Sequence, residues 1–166
     1  MPIDLLISLG IPKQYAGDIL VALLYILTSI GVTIFIKKRD LGALLFSLYI
    51  AYAIVTKTFF KFAQNPTTKA VILIVSIFLL FALIKHYVRM KISGGKIIVW
   101  VKTLLIALSI VGLLASIVLQ WLPALMLKEF FTAFSSEVFL SKEAQLIWMI
   151  VPLVLIFMLK HKQRVY

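Results

Sequence analysis

Long apolar runs, punctuated by clusters of lysine and arginine, constrain this chain more than any other feature. Leu41 to Thr56 is a run of sixteen uncharged residues, bounded by Lys37-Lys38-Arg39-Asp40 on one side and Lys57 on the other. Ala70 to Ile84 is apolar throughout except for Ser76. A helix that is apolar on every side has no solvent face, so such runs read as membrane spans. With 63% hydrophobic residues and a mean hydropathy of +1.13, the chain is far more apolar than a soluble domain. Its 166 residues leave no room for a separate soluble domain of ordinary size. The expected fold is all-α: a polytopic membrane helix bundle forming a single integral-membrane domain over 1–166. It has about five transmembrane helices, near 18–36, 41–56, 69–87, 97–122 and 142–159, plus an amphipathic interfacial helix at 127–139.

Small residues predict which faces meet. In the second span Ala43, Ser47 and Ala51 recur every fourth position and share one helix face. Inside a bilayer, packing drives association, and small residues let backbones approach. Bulkier Leu44, Leu48 and Val55 occupy the opposite surface, so this span is expected to pack centrally. Ser109, Gly112 and Ser116 give the fourth span a similar face, a natural partner for the first. The third span, with Ser76 alone to interrupt its core, is expected to face lipid.

Polar residues inside the spans are few. Thr28, Ser29 and Thr33 form a weakly polar cluster with Gly31 late in the first span; they mark either helix contact or a pathway lining. Tyr49 and Tyr52 lie near the middle of the second span. A lipid-facing phenol there would leave its hydroxyl unpaired, so both should point into the bundle or a wet cavity.

Termination signals set the boundaries. Asp18 is the expected N-cap of the first span, and Ser141 that of the last, with Glu143 in the positive first turn. Pro66 should end any helix before it, leaving Thr67 or Thr68 as a cap. Gly94-Gly95 makes a permissive turn. Leu127, Phe130, Phe131, Phe134 and Val138 fall on one arc of a helical wheel, opposite Lys128, Glu129, Thr132, Ser136 and Glu137. That segment should lie in the interface, or dock on the bundle through the same face. The apolar start of residues 1–17 is too short to span and reads as interfacial. Pro152, inside the last span, is expected to kink it and could serve as a hinge.

The net charge of +11 sits mainly between the apolar runs, which suits anionic lipid headgroups rather than nucleic acid. The regions 37–39, 85–102 and the C-terminal tail hold three, five and three Lys or Arg; the opposite side holds six. This places the N-terminus outside and the C-terminus in the cytoplasm. All six acids (Asp4, Asp18, Asp40, Glu129, Glu137, Glu143) fall at span ends or in loops, whereas coupled transporters usually hold a carboxylate within the membrane. No cysteine is present, and His86 and His161 stand among lysines, so no metal site, cofactor or catalytic residue is expected. Ser135-Ser136 has no histidine placed to activate it.

A span, the basic turn Lys37-Lys38-Arg39-Asp40-Leu41-Gly42, then a small-residue-rich span resembles the colicin V production protein (CvpA) family over residues 18–60. That resemblance implies a bacterial inner-membrane protein connected with export or envelope homeostasis, and no catalytic residues. The expected function is a non-catalytic membrane subunit or scaffold, partnered by another membrane protein or by copies of itself. The alternative is a small self-assembling channel or transporter. Its pathway would use Thr28, Ser29, Thr33, Tyr49 and Tyr52, and Pro152 would be its hinge.

Overall fold

The computed structural model describes residues 12–57, 65–90, 94–122 and 133–161, together with Ser8, Ile92, Leu127 and Phe131. Six helices and no strands lie among the described residues: α1 (Lys13–Phe35), α2 (Leu41–Lys57), α3 (Pro66–Ile84), α4 (Lys96–Leu119), α5 (Ala133–Leu140) and α6 (Lys142–His161). Four of these, α1, α3, α4 and α6, are long and apolar enough to cross a membrane. Helix α2 is apolar but has 17 residues, a rise of about 25 Å against the roughly 30 Å hydrocarbon core.

Local rules set several ends. Ser141 accepts a 3.0 Å hydrogen bond from the Ala144 amide and caps α6, with Glu143 in the first turn, as the sequence predicts. Gly94 has φ +142°, a conformation open to glycine, and Gly95 becomes the N-cap of α4. Pro66 starts α3 instead of only ending what precedes it, with Asn65 rather than Thr67 or Thr68 at the N-cap. Proline suits the first helical position because the amide it lacks would have no partner there. Asp18 is not an N-cap: α1 starts at Lys13, with Pro12 before it, and Asp18 lies inside the first turns. The stretch before Asp18 keeps helical geometry, so the carboxylate serves a tertiary contact instead. Of the expected interfacial start at 1–17, residues 13–17 belong to α1, and the rest lies outside the described residues except for Ser8 and Pro12.

The bundle is organised around α4, not α2. Helix α4 packs against α1, α2, α5 and α6, whereas α2 packs most extensively against α3. Ten α4 residues are buried, from Thr103 to Ile117. Leu41, Leu45, Leu48 and Ala51 of α2 form one core cluster with Leu73 of α3 and Ile106, Ile110, Leu113 and Ile117 of α4. In α3 Leu73 alone is buried, and Val71, Val75, Phe78 and Leu79 are exposed. Most of the apolar surface of the third span is thus turned outward from the bundle.

The segment after α4 departs from its expected orientation. Residues 123–126, 128–130 and 132 lie outside the described residues, Phe130 of the proposed apolar arc among them. In α5 itself, Phe134 is exposed, while Ser135 and Phe139 are buried. Within α5 the inward face is therefore turned away from Phe134, because Ser135 and Phe139 find specific partners in α1 and α6, whereas Leu127 and Phe131 of the same arc line a groove with α1 and α4. Pro152 is buried, and α6 runs through it without interruption from Lys142 to His161.

Candidate functional site

Where α1, α4, α5 and α6 meet, three aromatic rings form a junction. Phe139 of α5 stacks on Trp148 of α6, with centroids 5.8 Å apart and planes at 2°. Tyr25 of α1 meets both rings edge-on, at 5.8 Å from Phe139 and 6.1 Å from Trp148. Each polar handle is used, as buried phenols and indoles require. The Tyr25 hydroxyl donates to the Leu108 carbonyl of α4 at 2.7 Å. The Trp148 indole N–H donates at 2.9 Å to the Val138 carbonyl, one of the α5 C-terminal carbonyls with no intrahelical donor.

Gly112 makes this junction possible. A Cβ at that position would lie 2.2 Å from Trp148 Cζ3, so the absent side chain is the space the indole fills. The partner of the Ser109–Gly112–Ser116 surface at its glycine is thus the Trp148 ring, not the Ala43/Ser47/Ala51 face of α2. Small residues admit either a backbone or a large flat ring, and here the ring is seated. Ser109 and Ser116 are buried, and their hydroxyls donate back to Ile106 (2.8 Å) and Leu113 (3.2 Å). Ala43, Ser47 and Ala51 are fully buried, and Ser47 donates to the Ala43 carbonyl at 2.7 Å.

Beside the junction, the buried Ser135 hydroxyl donates to the Asp18 carboxylate and ties α5 to α1. Two phenols connect α2 to α6. The Tyr49 hydroxyl donates to the Met149 carbonyl. The Gln145 side-chain amide donates to the Tyr52 hydroxyl at 2.9 Å. Tyr49 and Tyr52 ascend α2 as Met149 and Gln145 descend α6, so the two helices run antiparallel. Met149 adjoins Trp148, whose carbonyl lacks a helical donor because Pro152 has no N–H.

The residues of the expected pathway do not converge on one channel wall. Thr28, Ser29 and Thr33 each donate to a carbonyl one turn earlier in α1, at 2.7, 2.8 and 2.9 Å. Ser29 is fully buried. Thr28 is exposed beside an apolar groove of about 530 Å³ between α1 and α4, lined by Leu24, Tyr25, Leu114, Val118 and Phe131 among others. Tyr49 and Tyr52 face α6 instead. Among the described residues no buried side-chain nitrogen or oxygen lacks a hydrogen-bond partner, and no group of three metal-ligating side chains occurs.

At one end of the bundle, a concavity of about 330 Å³ gathers Lys37, Arg39, Asp40, Lys85, His86 and Arg89. The loops after α1 and after α3 are joined there by a 2.8 Å bond from the Met90 amide to the Arg39 carbonyl. The Met90 side chain lies over Gly42, where an added Cβ would come within 2.8 Å of its Cγ and Sδ.

The aromatic junction was not visible in the sequence. Trp148 carried a signal, since an indole this far inside a span needs an acceptor, but nothing local identifies Val138 or Gly112. In comparisons with known proteins, no family model, no curated protein and no solved structure matches the chain.

Proposed function

We propose that this chain is a non-catalytic integral membrane subunit or scaffold: a five-span bundle in a bacterial inner membrane, N-terminus outside and C-terminus cytoplasmic. Helix α2 is its fifth crossing. This is supported by antiparallel pairing with α6 and by the Met90–Arg39 bond, which holds the α1–α2 and α3–α4 loops at one end. The observation that carries the functional reading is how the interior polar groups are spent. Tyr25, Tyr49, Gln145, Trp148 and Ser135 act as ties between helices, and the serines and threonines bond within their own. Such an interior is suited to holding shape rather than to binding substrate or passing ions.

A channel or transporter would need the Thr28, Ser29, Thr33, Tyr49 and Tyr52 hydroxyls to share a wet path, and their present partners count against that. A connection with export or envelope homeostasis follows the resemblance of residues 18–60 to the colicin V production protein family. Native mass spectrometry of the gently extracted protein from its own host tests the proposal. A stoichiometric complex with a second membrane protein is the expected result. A pure homo-oligomer that conducts ions or solutes in liposomes would overturn it.

A further inference from the structure

We propose that the basic concavity between the α1–α2 and α3–α4 loops is a binding site for a phosphate ester, and that its natural occupant is the headgroup of an anionic phospholipid. This goes beyond the scaffold reading and depends only on membrane embedding. Positive-inside topology requires lysine and arginine on one side of the membrane, but it does not require that they share a pocket. Here residues nearly fifty positions apart in sequence do share one. Lys37 and Arg39 come from one loop, and Lys85 and Arg89 from the other.

The arrangement is held by backbone rather than by chance side-chain contact. The Met90 amide bonds the Arg39 carbonyl at 2.8 Å, and the Asp40 amide bonds the Lys37 carbonyl at 2.8 Å, closing the turn that presents both cations. Asp40 is the one carboxylate on the wall. It lies 3.4 Å from the Arg39 guanidinium and is largely covered, so it orients Arg39 and leaves the site with a net excess of cations. Guanidinium and ammonium groups converging on a concavity are the donors that bind phosphate. Basic pockets between membrane helices on the cytoplasmic side select such headgroups.

The remaining wall distinguishes a lipid from a soluble phosphate. Phe35 and Ile36, at the end of α1, and Phe81, in the last turn of α3, line the same concavity. Phe35 is 88% exposed, an apolar surface beside the cations that suits the start of an acyl chain. Lys38 is exposed in the same turn but does not line the concavity, so it provides a matched control.

The test uses the full chain, purified in mild detergent and titrated by native mass spectrometry. The probes are dioleoylphosphatidylglycerol, dioleoylphosphatidylcholine and glycerol 3-phosphate. Retention of phosphatidylglycerol over phosphatidylcholine is expected. Lys85→Gln/Arg89→Gln should weaken it about tenfold or more, since each cation near an anionic surface is worth roughly a fivefold change. Lys38→Gln/Lys69→Gln should leave it within about twofold. Equal binding of glycerol 3-phosphate with the same variant dependence would keep the phosphate site but overturn the lipid as its occupant. No preference among the probes, or equal losses in both variants, would overturn the site itself. If the pocket variant is not monodisperse, a photoactivatable phosphatidylglycerol on the parent chain decides. Labelling confined to peptides spanning 35–40 and 81–90 supports the site, and labelling spread over all helices refutes it.

Discussion

Helices α3 and α4 have the same mean hydropathy, yet one sits at the edge of the bundle and the other at its centre. Leu73 is the single buried residue of α3, against ten in α4. Both are long and apolar enough to cross a bilayer, and there a leucine gains little by exchanging lipid for protein. What separates them is small side chains. Thr103, Ala107, Ser109, Gly112 and Ser116 thin α4 enough for neighbours to approach, and Trp148 settles directly on Gly112. Position in a membrane bundle follows from what a helix omits.

The comparison can be broken most severely at Gly112. Gly112→Leu should abolish monodisperse protein in detergent, because the indole leaves no room even for a Cβ. Gly112→Ala should still cost about 2–3 kcal/mol in reversible unfolding. A monodisperse Gly112→Leu protein of parental stability would show that α4 is not the packing centre. The double change Ser47→Leu/Ala51→Leu overpacks the fully buried face of α2 and should lower stability by about 1–3 kcal/mol per site, read by thermal melting. Tyr49→Phe removes a single interhelical bond. It should cost about 0.6 kcal/mol, near the average for such bonds within membranes, with Trp148→Phe somewhat higher because packing is lost too. At the small end, Val75→Leu on the exposed face of α3 should stay within about 0.5 kcal/mol of the parent. If Val75→Leu proved as damaging as the α2 changes, α3 would have a protein partner on its outer face, which would sharpen the subunit proposal.

The junction also separates what is readable in a sequence from what is not. The Ser141 cap is legible because donor and acceptor lie three residues apart and share one turn of chain. Asp18 misled for the complementary reason. Its composition suits a cap, but its carboxylate is claimed by Ser135, 117 residues away. The same holds for α5, where the wheel of apolar residues points through Phe134 but burial follows Phe139, because a stack on Trp148 outweighs a local moment. The small faces around Ser47 and Gly112 are plain in the sequence, and their burial could be anticipated. Their partners could not, since pairing depends on how each helix is rotated about its own axis, and periodicity leaves that angle undetermined relative to every other helix.

By itself, the sequence determined that the chain is helical and apolar enough for a membrane, roughly where its helices lie, and that its basic residues gather between them. These follow from transfer energies and from hydrogen bonds closed within a few residues. Only the tertiary structure decided that α4 rather than α2 is the centre, that Gly112 seats an indole, and that two distant basic loops share one concavity. Those outcomes rest on contacts between residues tens of positions apart, fixed by how rigid helices fit together once all of them are in place.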